Sequence, residues 1–329
     1  MTSTYDRFNS WKGLIYADRL EQCAKGGTPH PVNWHTYISN KCPYDCEFCI
    51  MQDEHAKHKN AMLPEGTLDK LADDADRLGV KLVHISGGGE PLTHPYVNEF
   101  IRRLKDRRIT VAMSTNGYHL DRLDAQVDHL RVSFNAGTKE SYARVQNTKP
   151  ESFDRVRKNL ETAVKERKGK DIGMGFVVTH LNYHEIPSFV KIAEESGVGF
   201  VHIRPGFWPQ HNEEIMKAIG KVSVKSDKVD VFAVTEKFGG FWDDKKYPCR
   251  ATPLHAVTAA TGEFLICQDR LDLRWGDYNE QTFEEIWSHP KHYELMREAR
   301  DCDIRCVECR LNEIIERVFV RNDIRRELI

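Results

Sequence analysis

The chain lacks the features that mark membrane, exported or nucleic-acid-binding proteins. No apolar run approaches the roughly 18 residues needed to cross a bilayer, and the start has no charged-then-apolar signal pattern. The 48 basic and 50 acidic residues give a formal net charge of −2, so we expect no broad attraction to nucleic acid or anionic lipid. We therefore expect a cytoplasmic protein whose 329 residues form one large domain with an appendage.

The nine cysteines do not form the pattern of a disulfide-rich protein. They fall as Cys42/Cys46/Cys49, Cys302/Cys306/Cys309, the separated pair Cys249 and Cys267, and a lone Cys23. Tight cysteine groups in a chain without an export signal favour metal binding in a reducing compartment. Cys23 is most simply an ordinary core residue.

The first group, Cys42-x3-Cys46-x2-Cys49, places three thiolates on one loop. Four thiolates close a structural zinc site or complete a simple iron–sulfur cluster, whereas three leave one metal position open to another ligand. The alternatives are a zinc knot, which would recruit His55 as its fourth ligand, and a chance group of core cysteines. An open metal position indicates chemistry rather than scaffolding.

Residues 81 to 205 alternate β-rich runs with amphipathic stretches, which is typical of parallel strands joined by helices. The predicted strands are Val32–Ser39, Lys81–Ser86, Ile109–Ser114, Leu130–Asn135, Ile172–Thr179 and Phe200–Arg204. The predicted helices are Leu68–Leu78, Tyr96–Arg107, Phe153–Lys168 and Ile186–Ser196. Six strand–helix units are too few for a closed eight-stranded barrel, so we expect an α/β fold built as a partial (β/α)6 TIM-like barrel. Functional residues of such barrels lie at the carboxyl ends of strands, where Cys42 and Gly87 fall.

The cysteine spacing, with the aromatic Phe48 before the third cysteine, resembles that of the radical S-adenosylmethionine (radical SAM) enzymes. About forty residues later, Ser86-Gly87-Gly88-Gly89-Glu90-Pro91 is similar to their Gly-Gly-Glu motif. The resemblance implies a four-iron four-sulfur (4Fe-4S) cluster on the three cysteines, with S-adenosylmethionine on its open iron. It also implies reductive cleavage to a 5′-deoxyadenosyl radical that abstracts a substrate hydrogen.

By the same resemblance, several residues bind S-adenosylmethionine. Glu90 accepts a hydrogen bond from the methionine amino group, while Gly87, Gly88 and Gly89 let the backbone approach the ligand closely. An ordinary exposed loop acid is the alternative for Glu90. Phe48 packs near the cluster or the adenine, unless it is plain core.

The segment Arg131-Val132-Ser133-Phe134-Asn135 is similar to the fourth strand of these enzymes. Ser133 and Asn135 share one face of an extended strand, and the resemblance places them at the ribose or methionine. Arg144 takes the place of an arginine that pairs with the methionine carboxylate, with a solvent-facing helix arginine as the alternative. Ser114 and Asn116 are weaker candidates at the third strand's end, where a turn explains them equally well.

The C-terminal third carries the other cysteines. Thr261-Gly262, between β-prone segments, predicts a hairpin that brings Cys249 and Cys267 together. The pattern Cys-x12-Gly-x4-Cys, followed by the distant pair Cys306 and Cys309, resembles the twitch module, a shortened SPASM domain. The resemblance implies a second 4Fe-4S cluster on these four cysteines.

Two questions about this segment stay open. Cys302 could replace Cys306 as a ligand or be a spare thiol, and a structural zinc on the four thiolates is the alternative to a cluster. The expected domains are an N-terminal extension over residues 1–30, the radical SAM barrel over 31–235 and the twitch-like module over 236–329.

We expect the substrate to be a small molecule held in a pocket lined by Arg204, Trp208, Asp269 and Arg270. The alternatives are aromatic core for Trp208 and a surface ion pair between Asp269 and Arg270. His84 and His202 fall within predicted strands and are expected in the core or barrel wall. His180, at a strand end, is a further substrate candidate.

The first functional hypothesis is an oxidoreductase that dehydrogenates a small polar metabolite such as a sugar or aminocyclitol, with an electron passing to the second cluster. The second is a redox-neutral rearrangement or elimination on a sugar, amino-acid or nucleotide derivative. Peptide modification ranks lower, because the 41 residues before Cys42 are too few for the usual leader-binding domain. Resemblance to the molybdenum-cofactor cyclase is partial, since its terminal Gly-Gly is absent. The resemblance also implies a flavodoxin or ferredoxin as electron donor.

Overall fold

The computed structural model describes residues 10–206, 226–233, 248–300 and 309–320. A ten-stranded sheet runs through these residues, in the spatial order β10-β9-β8-β1-β2-β3-β4-β5-β6-β7. Its strands are β1 Asn33–Tyr37, β2 Leu82–Ser86, β3 Thr110–Thr115, β4 Val127–Ser133, β5 Gly169–Val178, β6 Phe200–Pro205, β7 Asp230–Ala233, β8 His255–Thr258, β9 Phe264–Leu265 and β10 Arg274–Trp275.

Each neighbouring pair from β1 to β7 is parallel, and β8 pairs parallel with the other edge of β1. The short strands β9 and β10 then continue antiparallel. The described sheet ends at β10 and β7 and is unclosed. The predicted α/β partial barrel is confirmed.

The described residues form ten α-helices, several of which bury apolar residues in the main core beside the sheet. They are α1 Ala17–Ala24, α2 Gln52–His58, α3 Glu65–Arg77, α4 Val97–Asp106, α5 Lys139–Val145, α6 Glu151–Lys165, α7 Ile186–Glu195, α8 Phe283–Trp287, α9 Pro290–Arg300 and α10 Cys309–Ile314, followed by a π-helical turn Ile315–Val320. Helix α6 shows why these segments are helical, since it buries Phe153, Val156 and Leu160 on one stripe. The four predicted helices correspond to α3, α4, α6 and α7, with ends shifted by up to three residues.

Side-chain alternation gives the sheet two different faces. The outer face is apolar and packs in the main hydrophobic core, with Trp34, Val83, Val111, Val132 and Met174 all buried. The inner face is polar over much of its area. Its side chains include His35, His84, Ser86, Ser114, His129, Arg131, Ser133, His202 and Arg204, each partly accessible. The barrel therefore encloses a polar interior.

Sequence periodicity missed part of the sheet. The predicted hairpin is present as β8 and β9, joined through Gly262 at φ 98°. That β8 also pairs with β1, more than 200 residues earlier, was not predicted, because parallel pairing between distant segments leaves no local pattern. The fourth strand ends at Ser133 instead of the predicted Asn135, whose φ of 59° breaks the extended backbone.

The C-terminal segment packs against the outer face of β1. The Trp34 ring lies 5.8 Å from Phe264, 5.5 Å from Tyr278 and 5.4 Å from Phe283, measured between ring centroids. The Trp34 indole also donates a 2.8 Å hydrogen bond to Thr258 Oγ1 on β8. Across the described ranges, no helix combines the length and hydropathy that a membrane span requires.

Candidate active site

The cysteine loop, residues 42–49, follows β1 at the carboxyl end of the barrel strands. Cys42, Cys46 and Cys49 are each partly buried. Burial raises the pKa of the Cys42 thiol to about 12, and the pKa of Cys46 is raised by burial and by its neighbours Cys42 and Cys49. The three thiols are thus close enough for their charges to interact.

Several contacts fix this loop, and sequence reasoning identified few of them. Asn116 Nδ2 donates to Cys42 Sγ at 3.7 Å, and Cys46 Sγ lies 3.9 Å from Gln146 Oε1. Tyr44 is buried, and its hydroxyl lies 3.1 Å from that of Tyr142. Asn116 was a weak candidate in the sequence, whereas the two tyrosines and Gln146 carried no local signal.

His55, the fourth ligand that a zinc knot would need, has another partner in the structure. The His55 ring contacts the Gly88 carbonyl oxygen at 2.5 Å, so it is tied to the glycine turn. Within the described ranges, no three His, Cys, Asp or Glu side chains converge as the ligands of one metal ion would. Three partly buried thiols on one loop, with the Asn116 amide donating to Cys42 Sγ, are a donor set that a 4Fe-4S cluster takes.

The glycine turn, residues 87–89, packs directly onto the chain just before the cysteine loop. A Cβ at Gly88 would lie 1.7 Å from Asn40 Oδ1, and one at Gly89 would lie 2.3 Å from the Lys41 carbonyl oxygen. Glu90 N donates to that Lys41 oxygen at 2.7 Å. Because these residues have no Cβ, the glycine turn can pack closely against the backbone that leads into the cysteine loop.

Glu90 follows β2 in the chain and is buried beside the carboxyl end of the neighbouring strand β3. Three donors hold its carboxylate. Oε1 accepts from Leu92 N at 3.1 Å and Thr115 Oγ1 at 2.6 Å, and Oε2 accepts from Asn116 N at 2.7 Å. Burial raises the pKa of Glu90 to about 7, and the three hydrogen bonds oppose that rise. A carboxylate offers about four acceptor positions, so Glu90 has room for one more donor such as an ammonium group.

Asn135 presents a buried donor at the end of β4. Its Oδ1 accepts from Val177 N at 2.8 Å, while Nδ2 is buried without a hydrogen-bond partner in the described structure. Leaving such a donor unsatisfied costs about 1–3 kcal/mol, so a bound group that accepts this hydrogen bond fits here. Ser133, two residues earlier, faces the same polar interior and is partly accessible.

The other predicted cofactor contacts are less enclosed. Arg144 is exposed on α5 and donates to the Leu181 carbonyl oxygen at 3.4 Å. Phe48 is half-buried within the cysteine loop. His180 is exposed, with Nε2 3.6 Å from the Glu47 carboxylate of that loop.

A hydrogen-bonded network crosses the barrel interior below these residues. Arg131 donates to Ser114 Oγ and to His202 Nδ1, both at 3.0 Å. His84 Nε2 lies 2.9 Å from the same Ser114 oxygen, and its ring centroid is 4.4 Å from that of His35. His84 and His202 thus line the inner wall, as expected. Arg131 was missed, although the alternation His129, Arg131, Ser133 along β4 could have indicated a polar inner face.

The predicted substrate residues separate into groups. Arg204 lies close enough to Asp269 for their charges to interact. Arg270 pairs with Asp272 at 2.7 Å and with Glu298 at 3.6 Å, which are not the partner named in the alternative of a surface pair with Asp269. Trp208 lies outside the described residues.

The C-terminal cysteines are described in part. The charges of Cys249 and Cys267 interact, and burial raises the pKa of Cys267 to about 12. Asn312 on α10 donates to Cys249 Sγ at 3.6 Å. Of the other predicted ligands, Cys309 begins α10 and only its backbone is described, while Cys302 and Cys306 lie outside the described residues. Cys23 is buried in a core cluster, as expected, and lies near enough to Cys249 for their charges to interact.

Residues 36–193 match the Radical SAM superfamily. Two similar curated proteins are probable GTP 3',8-cyclases. The one from Metallosphaera sedula is 29% identical over 208 residues, 58% of this chain and 63% of that protein. The one from Thermococcus kodakarensis is 31% identical over 171 residues, 50% of this chain and 54% of that protein. The matches thus span little more than half of these relatives.

Solved structures share the fold over a longer range. SuiB of Streptococcus suis, crystallised with its precursor peptide SuiA, superposes with a TM-score of 0.64 at 16% identity, covering 87% of this chain and 72% of SuiB. The anSMEcpe protein with bound AdoMet gives 0.59 at 15% identity, covering 83% of this chain and 84% of that one. Residues 36–193 thus form a radical SAM domain, which covers most of the barrel. That family implies S-adenosylmethionine and a 4Fe-4S cluster as cofactors.

Proposed function

We propose that this enzyme dehydrogenates a small polar metabolite, such as a sugar or an aminocyclitol. When bound, the reduced cluster and S-adenosylmethionine supply the 5′-deoxyadenosyl radical that takes one hydrogen atom from the substrate. Cys42, Cys46 and Cys49 hold the cluster, Glu90 and Asn135 hold the methionine end of the cofactor, and the polar barrel interior orients the substrate.

The proposal is supported above all by the contacts made at the carboxyl end of β3. Asn116 contacts both cofactor-binding regions, because its backbone N–H donates to Glu90 and its side chain donates to Cys42. Two residues earlier on the same strand, Ser114 belongs to the network of the interior. One strand end therefore joins the thiols, the buried carboxylate and the polar wall, so a substrate in the interior would lie next to the cofactor.

The second step of the oxidation needs an electron acceptor. We assign that role to a second 4Fe-4S cluster in a twitch-like module over residues 236–329, held by Cys249, Cys267, Cys306 and Cys309, with Cys302 spare. The proximity of Cys249 and Cys267 supports this assignment, as does the contact of α10, which begins at Cys309, with Cys249 through Asn312. The oxidation would balance if the substrate gave one hydrogen atom to the radical and one proton to solvent, with such a cluster as the acceptor of the remaining electron. A flavodoxin or ferredoxin would supply the electron that starts the reaction.

A redox-neutral reaction on a nucleotide derivative is the second candidate, because the curated relatives above are named as probable GTP cyclases. Peptide modification has fold likeness alone in its favour.

The test is anaerobic turnover of the reconstituted enzyme under strong reductant, with candidate sugars, aminocyclitols and nucleotides. We expect methionine and 5′-deoxyadenosine in equal amounts, and a product two hydrogens lighter than its substrate by mass spectrometry. A product isomeric with its substrate would transfer the assignment to the second candidate. No 5′-deoxyadenosine under any condition would refute both.

A further inference from the structure

The barrel interior contains two arginines that the cofactor sites do not use. Arg131 lies in the middle of β4, in register with Ser114 and Gly173 on its neighbours. Arg204 lies near the end of β6, in register with Val177. Both side chains are partly accessible although they lie inside the barrel, because they line its interior.

Both guanidinium groups retain hydrogen-bonding capacity. Arg131 donates to Ser114 and His202 through its two terminal nitrogens, and a guanidinium has about five N–H donors. The Arg204 guanidinium makes no side-chain hydrogen bond to any residue in the described part of the chain. A cationic donor that is partly withdrawn from water is costly unless an acceptor of opposite charge satisfies it.

The charges around the two arginines leave Arg131 without a counter-ion. Burial, and then Arg204, lower the pKa of Arg131 to about 9. Of the interior carboxylates, Asp269 acts on Arg204, while Asp171 lies 3.0 Å from His129. No ion pair joins Arg131 to a carboxylate in the described ranges.

Two interior histidines do not change this balance. Burial, and then Arg131, lower the pKa of His35 to about 3, and burial lowers the pKa of His84 well below its ordinary value. Both rings are therefore neutral at physiological pH and add no positive charge to that of the two arginines.

Glycine on the neighbouring strand leaves space beside Arg131. A Cβ at Gly175 would lie 3.5 Å from Arg131 Cδ, so any larger side chain there would compete with the guanidinium for the interior. We propose that the substrate carries an anionic oxygen group, a carboxylate or a phosphate, which binds to Arg131 and Arg204 inside the barrel. This inference rests on the proposed function and narrows its substrate class, from small polar metabolites in general to those that carry a carboxylate or a phosphate.

The test is calorimetric titration of the reconstituted enzyme, saturated with S-adenosylmethionine, with inorganic phosphate and separately with acetate. We expect saturable binding of at least one anion, weakened tenfold or more in Arg131→Met and in Arg204→Met. Arg204→Lys keeps the charge and should retain most of the affinity. Arg102→Met is the matched control, since Arg102 lies on the outer helix α4 and pairs with Asp124 and Glu99. Circular dichroism and cluster absorbance verify that each variant is folded.

The outcomes separate the inference from the function on which it rests. The anion that binds identifies phosphate or carboxylate as the substrate group. Unchanged binding in both methionine variants, or no saturable binding in the wild type, would overturn the inference. So would an equal loss of S-adenosylmethionine affinity, which would assign the arginines to the cofactor carboxylate. Wild-type cleavage of S-adenosylmethionine under dithionite is measured in parallel, and its absence would refute the proposed function alone.

Discussion

The cysteine loop and the barrel interior meet at the same edge of the sheet, but the chain builds them in opposite ways. The loop places three thiols within eight consecutive residues. The interior network joins His35, His84, Ser114, Arg131 and His202, one side chain from each of five strands. A site carried by one segment depends on local spacing, whereas a site spread over strands depends on their register. The two regions should therefore respond differently to substitution.

The largest expected effect is that of Cys46→Ala in the cysteine loop. Loss of one of three thiolates removes a ligand that no described side chain nearby replaces, so the first cluster should be lost and S-adenosylmethionine cleavage should fall to background. Iron analysis and assay of 5′-deoxyadenosine measure both.

Cys23→Ala is the matched control, since Cys23 is a buried thiol in a core cluster with Leu20 and Leu311. We expect it to cost about 1 kcal/mol of folding free energy and to leave the iron content unchanged. Iron loss in Cys23→Ala, or normal cleavage in Cys46→Ala, would contradict the assignment of ligands.

The second expected effect concerns the contact between the glycine turn and the cysteine loop. In Gly88→Ala the new methyl group would overlap Asn40 Oδ1, which is buried beside the loop, so Asn40 must move. We expect a loss of about 1–3 kcal/mol in the free energy of unfolding, as for other overpacked sites, together with weaker S-adenosylmethionine binding.

Gly66→Ala controls for the change of residue type. Gly66 lies in α3 with no atom within 4 Å of its added Cβ, so the substitution should stabilise the protein by about 0.4–1 kcal/mol. Denaturant unfolding measures both variants. If Gly88→Ala and the wild type had the same free energy of unfolding, the glycine turn would be able to accommodate the methyl group, contrary to this prediction.

Much of this architecture could be predicted from the sequence, for identifiable reasons. Hydrophobic periodicity predicts the six central strands and four of the helices, and the spacing of the cysteines predicts the cysteine loop. The role of Arg131 could not be predicted in the same way, because its hydrogen-bond partners, Ser114 and His202, lie on other strands. The pairing of β8 with β1 is nonlocal for the same reason.

The third prediction concerns the ionisation of Glu90. With a pKa raised to about 7 by burial, its carboxyl group is mostly protonated below that pH and loses the negative charge that strengthens its hydrogen bond to an ammonium group. S-adenosylmethionine affinity should therefore fall about tenfold between pH 8 and pH 6. In Glu90→Gln the affinity should be weaker at pH 8 and nearly independent of pH over this range. Titration calorimetry measures both, and an affinity that rises on acidification would rule out the assigned role.

The smallest expected effect lies at the C-terminal cysteines. Asn312 is buried, and its Oδ1 accepts from Arg250 N at 2.6 Å and Ala251 N at 2.8 Å. Asn312→Ala leaves these two backbone donors without an acceptor, so we expect the free energy of unfolding to fall by about 1–3 kcal/mol. We also expect α10 to pack less tightly against Cys249. The iron of the second cluster should then dissociate sooner than that of the first, which time-resolved chelation would detect.

Asn98→Ala supplies the matched control, because Asn98 Oδ1 also accepts from two backbone N–H groups, those of Asp124 and Ala125, at a site among the barrel helices. It should lower stability without changing the rate of iron loss. If both variants lose iron at the same rate, the effect of Asn312 is one of general stability. If only Asn312→Ala releases iron early, the contact between α10 and Cys249 belongs to a second metal site. Iron retention by the C-terminal cysteines, which lie far apart in the sequence, would then depend more on packing than iron retention by the cysteine loop does.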